Sequence, residues 1–322
     1  MRALVTGGAG FIGSHLVDAL LDRGDSVIAL DNLATGRHDN LRDRLGDPKL
    51  EFVLGSVLNA DLVDDLVSRS DVVFHLAAAV GVKLIVERPL ESLVTNIRGS
   101  EVVFEKAHKH GRKVLVTSTS EVYGKSPNIP LQEDGDRLLG SPLVGRWSYS
   151  TSKVVDEILA HAYWKTKGLP AVIVRLFNTV GPRQSPEWGM VVPRFIEAAL
   201  ASRDLIVHGD GGQSRCFGFV GDVVPALMAL MSSTEAEGKA VNLGSTEEIS
   251  ILELARLVIE LTGSTSEIRM VPYDEVYESG FEDMPRRVPD ISRAAKLIGF
   301  DPQTNLKGIL EIMIQHSIRT AQ

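Results

Sequence analysis

Ala3-Leu4-Val5-Thr6-Gly7-Gly8-Ala9-Gly10-Phe11-Ile12-Gly13-Ser14-His15-Leu16-Val17 is the stretch that decides how this chain folds. Its apolar start predicts a strand, and the Gly-x-x-Gly-x-x-Gly spacing of Gly7, Gly10 and Gly13 predicts a tight turn. Leu16, Val17, Leu20 and Leu21 then recur at helical spacing, with Gly24 placed to end the helix. A second strand follows from Ser26 to Leu30 and runs into Asp31, 18 residues beyond Gly13. Glycines in such a turn let backbone amides approach a pyrophosphate, which then sits on the positive end of the helix. Gly13 lets the helix pack against the sheet, and Asp31 is placed to accept hydrogen bonds from an adenosine ribose. Its charge disfavours a 2′-phosphate, so the expected cofactor is NAD rather than NADP. Arg37 lies near enough in sequence to bear on that choice, but reads more simply as a solvated loop residue.

The rest of the composition narrows the class. With 322 residues, 44% of them hydrophobic and 24% charged, the chain can bury a sizeable core. Its 34 basic and 42 acidic residues give a net charge of −8 without a long basic run, which argues against a nucleic-acid partner. The single cysteine, Cys216, excludes an intramolecular disulfide and a cysteine cluster for a metal, and no metal site is expected. Apolar runs fall short of a membrane span, and the first strand begins at residue 2, so no membrane partner and a cytoplasmic location are expected.

Further strands and helices alternate. Asn32 to Asp47 reads as loop and short helix, Glu51 to Leu54 as a third strand, Asp61 to Val67 as a helix, and Asp71 to Ala78 as a buried fourth strand. The small residues after Leu76, Ala77 and Ala78, would let a cofactor lie close, and His75 within that strand reads as a satisfied core histidine. Glu91 to His110 has the period of a long helix. Lys113 to Thr117 is the next strand, ending in Ser118-Thr119-Ser120-Glu121, and side chains at the carboxyl end of a parallel strand face the ligand crevice. Tyr149 and Lys153, four residues apart, share one face of the following helix. A tyrosine needs a neighbouring cation to act as a base, and Lys153 is expected to favour its phenolate. Ala171 to Leu176 is one more strand, Phe219 to Met231 a helix and Val241 to Gly244 a strand able to return to the sheet. The pattern predicts an α/β fold, a doubly wound parallel sheet of Rossmann type with a smaller interleaved C-terminal domain. The cofactor domain is expected over residues 1–178, with 219–244 returning to it, and the substrate domain over 179–322.

Gly-Gly-Ala-Gly-Phe-Ile-Gly, His-Leu-Ala-Ala, Ser-Thr-Ser-Glu-Val-Tyr-Gly, Tyr-x-x-x-Lys and Arg-Leu-Phe-Asn-x-x-Gly-Pro-Arg together resemble the NAD-dependent nucleotide-sugar epimerase/dehydratase family, the extended branch of the short-chain dehydrogenases. The resemblance spans essentially the whole chain. It implies a cofactor site of Gly7, Gly10, Phe11, Ile12, Gly13, Asp31, Asn32, Ser56, Val57, Leu76, Ala77, Ala78, Thr117, Tyr149 and Lys153. Ser56 stands where relatives often carry an acid that meets the adenine. A catalytic group of Tyr149, Lys153, Thr119 and Glu121 is also implied. For a UDP-sugar the implied contacts are Ser120, Asn178, Arg183, Val192, Gln213, Arg215, Arg287 and Asp290, with Arg215 and Arg287 on the phosphates and Asp290 on a ribose. Arginine suits phosphate because its planar fork pairs bidentately with the oxygens.

Within the family the wording of residues 175–222 and 281–291 is most similar to bacterial UDP-hexose and UDP-glucuronate 4-epimerases, including one of moenomycin biosynthesis, an antibiotic pathway. The implied activity is NAD-dependent 4-epimerisation of UDP-glucuronate or UDP-glucose through a 4-keto sugar. The alternative is decarboxylation of UDP-glucuronate to UDP-xylose, because a 4-keto-uronic acid is a β-keto acid and Ser120-Glu121 resembles a pair found in those decarboxylases. Dehydration is disfavoured by Ser120, which replaces the usual aspartate. Arg183 could grip a sugar C6 carboxylate and protect it from loss, or could brace its loop or a phosphate. A homodimer built on the helices Glu91 to His110 and Tyr149 to Lys165 is the further expectation.

Overall fold

The computed structural model describes residues 1–81, 87–276 and 284–320. Apolar runs bounded by turns become the strands β1 (Arg2–Thr6), β2 (Ser26–Asp31), β3 (Leu50–Leu54), β4 (Val72–His75), β5 (Lys113–Thr119), β6 (Ala171–Leu176), β7 (Thr179–Val180), β8 (Leu205–His208), β9 (Ser214–Cys216), β10 (Gly218–Phe219), β11 (Ala240–Leu243), β12 (Glu248–Ser250) and β13 (Ile268–Val271). The principal helices are α1 (Phe11–Asp22), α2 (Ala60–Ser68), α3 (Pro89–Lys109), α4 (Arg146–Lys167), α5 (Val191–Leu200), α6 (Val220–Ser232), α7 (Ile251–Thr262), α8 (Ser292–Ile298) and α9 (Leu306–Thr320).

Seven strands form one parallel sheet in the order β11-β6-β5-β4-β1-β2-β3. The chain winds outward from β1 to β3, returns to β4 on the other side of β1, and then winds the opposite way. That reversal opens a crevice at the carboxyl ends of β1 and β4, where Thr6 and His75 are register partners. Apolar faces of α1 and α6 cover one side of the sheet and those of α2, α3 and α4 the other, so both faces are buried and the strands read as nearly continuous apolar runs. A third core gathers α5, α7 and α9 around Leu205 and Val207 of β8. The capping box at Ser250 and Glu253 starts α7, and Gly263 in the left-handed region ends it. Among the described residues no helix is long and apolar enough to cross a membrane.

The fourth strand is shorter than its apolar run predicts. Leu76 N–H still donates to Thr6 O, but Ala77 N–H donates to Thr6 Oγ1 at 3.2 Å and Ala79 N–H to Asn96 Oδ1 at 2.7 Å, so the backbone leaves the ladder after Leu76 for side-chain acceptors. Leu76, Ala77 and Ala78 thereby become crevice wall instead of strand.

Candidate active site

A cavity of about 810 Å³ lies over the carboxyl ends of the central strands, between the sheet and the α5 lobe. At its floor the β1–α1 turn is held open by geometry alone. Gly7 has φ +71°, and a Cβ there would lie 2.9 Å from Ala77 N. A Cβ on Gly13 would lie 2.0 Å from Gly7 O, which forbids any side chain. Gly10, the residue before α1, offers no side-chain cap to the first amides of the helix, and Gly10 to Gly13 line the cavity. Asp31 at the end of β2 accepts Ala9 N–H at 3.0 Å through Oδ2 and Leu33 N–H at 2.8 Å through Oδ1. Burial pushes its carboxyl above the usual range against those backbone donors. An open amide cradle ending in a buried acid fits the pyrophosphate and ribose of a dinucleotide.

Phe11, Ile12, Asn32, Val57, Leu76, Ala77, Ala78 and Thr117 line the same wall. Ser56 does not. Its hydroxyl accepts Leu58 N–H at 3.2 Å and serves the turn before α2, with the neighbouring Gly55 and Val57 facing the cavity instead.

The strand end and α4 bring together the residues expected to react. Thr119, Ser120, Glu121, Tyr149 and Lys153 all line the cavity. The 3₁₀ turn Ser120–Tyr123 is fixed by Thr119 Oγ1, which accepts Glu121 N–H, and by Ser150 Oγ–H, which donates to Glu121 O at 2.7 Å. Beneath it Ser118 donates to Glu157, whose carboxylate is also gripped by both Nε and Nη2 of buried Arg175. Tyr149 sits where sequence placed it, but its electrostatics differ from expectation. Burial raises its phenol above the ordinary value, the Glu121 and Asp156 carboxylates raise it further, and the hydrogen bond with Thr119 opposes them. Lys153 meanwhile donates to Asp156 Oδ2 at 3.0 Å, with both side chains buried. His75 is the core residue expected, 1% exposed and bonded at both ring nitrogens, and burial pulls its pKa down to about 3.

Asn178, Arg183, Val192, Gln213, Arg215 and Arg287 line the cavity from the other lobe. Asn178 Nδ2 donates to Cys216 O at 3.0 Å, Gln213 Nε2 to His208 O at 3.1 Å, and Arg215 Nη1 to Ser214 O and Met284 O at 2.8 Å each. Arg183 has φ +68° and pairs with Asp18 of α1 at 2.8 Å, so the loop-brace reading is the one its contact matches.

Two residues expected at the substrate meet a different geometry at the C-terminal element. Arg287, read as a phosphate ligand, has Nη1 3.5 Å from Ser120 Oγ and 3.5 Å from Glu121 Oε1, at the reactive strand end. Asp290, read as a ribose ligand, lies outside the cavity: its carboxylate accepts Ser292 N–H at 2.9 Å and Gln132 Nε2–H at 3.1 Å and serves the start of α8. Sequence reasoning also missed Asp156, although an acid three residues after Lys153, directly behind Val154 and Val155, was a visible signal. Trp188 and Tyr273 in the cavity wall carried no such signal.

With this geometry in hand, likeness to known proteins becomes informative. The model of the NAD dependent epimerase/dehydratase family matches residues 3–244. A UDP-N-acetyl-alpha-D-glucosaminuronate decarboxylase of Bacillus cytotoxicus is 42% identical over 315 residues, 98% of this chain and 97% of that protein. A UDP-glucuronic acid decarboxylase of Xenopus tropicalis is 37% identical over 95% of this chain and 69% of its own length. Among solved structures, a UDP-glucuronic acid 4-epimerase of Bacillus cereus, in complex with UDP-glucuronic acid and NAD, superposes with TM-score 0.89 at 29% identity, covering 99% of this chain and 100% of that one. These findings overturn the expected 4-epimerisation as the main reading: the curated relatives matched over nearly the whole chain at 37–42% identity are decarboxylases.

Proposed function

The chain belongs to the NAD-dependent epimerase/dehydratase family and uses NAD as its cofactor, and on that premise we propose that it decarboxylates a UDP-hexuronate to a UDP-pentose. The observation that carries the proposal is the cluster of Arg287, Glu121 and Ser120, with Arg287 Nη1 3.5 Å from both Ser120 Oγ and Glu121 Oε1, beside Tyr149 at the end of β5. A sugar whose O4 meets Tyr149 and Thr119 would bring its C6 group toward that cluster. The curated decarboxylases support the same reading.

Gly7, Gly10 and Gly13 with the start of α1 would hold the pyrophosphate, Asp31 the adenosine ribose, and Lys153 the nicotinamide ribose. When bound, NAD supplies the oxidant that takes the C4 hydrogen of the sugar and later gives it back. Tyr149 accepts the O4 proton as the ketone forms. The sugar is then a β-keto acid, and breaking C5–C6 sends its electron pair into the C5–C4–O4 system as carbon dioxide departs. Tyr149, now protonated, and Thr119 donate to the O4 oxyanion. Arg287 orients the C6 carboxylate, while the Glu121 carboxylate beside it disfavours that negative charge in the ground state. A proton from solvent is then added at C5 in place of the lost carboxylate, and Tyr149 gives its proton back to O4 as C4 is reduced. Arg215, Gln213 and Asn178 would hold the diphosphate.

Residues 1–178 with 219–244 form the cofactor part in this reading and the remainder the UDP-sugar part. Leu90 and Val94 of α3 and Ile158 and Trp164 of α4, 37–74% exposed, are proposed as a homodimer face, which light scattering tests: a monomer at micromolar concentration contradicts it.

Incubating the protein with UDP-glucuronate and, separately, UDP-N-acetylglucosaminuronate, followed by chromatography, tests the function. A UDP-pentose from at least one of them is expected. A UDP-hexuronate inverted at C4 as the main product would overturn the proposal.

A further inference from the structure

Behind Lys153 lies a run of buried polar side chains that the reaction as described does not use. Lys153 Nζ donates to Asp156 Oδ2 at 3.0 Å, with the two side chains 2% and 0% exposed. A buried ion pair is a poor way to stabilise a fold, since apolar side chains of similar volume commonly do as well, so a pair beside the reacting tyrosine calls for another reason. The second oxygen, Asp156 Oδ1, is buried and takes no hydrogen bond of ordinary geometry, but Ser100 of α3 stands against the carboxylate. Ser100 Oγ is 3.0 Å from His75 Nε2, His75 Nδ1 is 2.8 Å from Thr6 Oγ1, and Ala77 N–H donates to Thr6 Oγ1 at 3.2 Å.

The assignment that uses every donor runs one way along this row. Thr6 accepts from Ala77 and gives its hydroxyl hydrogen to His75 Nδ1. His75 then carries its own proton on Nε2 and donates it to Ser100, whose hydroxyl hydrogen is left to turn toward Asp156. Burial keeps His75 neutral, with its pKa at about 3, as this assignment requires.

We propose that Asp156 is a positioning residue for the reaction: it holds the Lys153 ammonium in one place beside Tyr149, and Ser100 and His75 hold Asp156 in turn, tying the lysine to the crevice backbone at Ala77. A lysine side chain has four rotatable bonds, and a fixed counter-charge at their end selects one arrangement. The charged groups that meet here are Glu121 and Asp156 facing Tyr149, Lys153 and Glu157 facing Asp156, and Lys153 facing His75.

The sign of the effect follows from those neighbours. Removing the Asp156 charge relieves the Tyr149 phenolate of one nearby anion and deprives the Lys153 ammonium of its partner. Tyr149 then loses its proton at lower pH, so the acid limb of the kcat profile moves toward acid.

This rests on the reading of Tyr149 and Lys153 as the proton-accepting pair and not on which group leaves the sugar. The test compares the wild type with Asp156→Asn, matched in shape, by kcat and KM for a UDP-hexuronate across pH, with thermal melting to confirm folding. Expected are a kcat lower by about tenfold, a KM within about twofold, and an acid limb moved by about one pH unit toward acid. A folded Asp156→Asn with the wild-type kcat and pH profile overturns the proposal. Should that variant not fold, Ser100→Ala decides: a lowered kcat at unchanged KM supports the proposal, and the wild-type kcat overturns it. Absence of a UDP-pentose from the wild type counts against the leaving group alone, and the comparison is then read on the UDP-sugar that does turn over.

Discussion

Two regions meet in this cavity, the glycine turn at Gly7–Gly13 and the crossing segment Met284–Asp290, and they are built in opposite ways. In the turn the tightest constraint is local: Gly13 has no room for a Cβ because Gly7 O would be 2.0 Å away, and only Gly7 and Gly8 are further hemmed in from outside it, by Ala77 and Ala29. The crossing segment has no such local logic. Pro285 O accepts Ser214 N–H, Met284 O accepts Arg215 Nη1–H, Val288 O accepts Leu131 N–H, and Asn242 Nδ2 donates to Asp290 O. It is placed by partners more than 40 positions away in the chain, and Arg287 takes its position from them.

Arg287→Gln is the variant expected to have the largest effect, and it can break the contrast. If Arg287 handles the C6 carboxylate, kcat with a UDP-hexuronate falls about a hundredfold, the scale of losing one charge-stabilising donor, while KM stays near the wild-type value. A raised KM at unchanged kcat would return Arg287 to the phosphates. Gly13→Ala sharpens the other side: forcing a methyl group against Gly7 O should cost about 1–3 kcal/mol in urea unfolding and weaken NAD in a calorimetric titration. A variant with the wild-type midpoint and NAD affinity would show that the turn gives way more easily than its geometry implies. Asp290→Ala is expected to do least. Its carboxylate is engaged with Ser292 and Gln132, so KM for the UDP-sugar should stay the same, and a clear rise would put Asp290 back at the ribose.

The same contrast explains what sequence could and could not say. The doubly wound sheet, the turn, Asp31 and the Tyr149–Lys153 spacing were legible because period and glycine sterics are local. Placing Arg287 beside Glu121, or Asp290 at the start of α8, needs the path of a segment that crosses the lobe boundary, and no residue pattern encodes it. At Ser56 the hydroxyl is taken up by Leu58 N–H while Gly55 and Val57 line the cavity, an orientation that no local pattern announces. The Tyr149 environment was the most misleading. Lys153 at the right spacing suggested a phenolate, but two carboxylates and deep burial act on the same oxygen, and neither is visible at four-residue spacing.

Decarboxylation at the Arg287–Glu121–Ser120 end of the cavity is the central claim, and turnover of a UDP-hexuronate in deuterium oxide tests it most directly. Loss of carbon dioxide leaves C5 as a carbanion conjugated with the C4 ketone, so the claim predicts a UDP-pentose carrying one solvent deuterium at C5, read by NMR. A UDP-hexuronate that keeps its original C5 hydrogen and is inverted at C4 would contradict it.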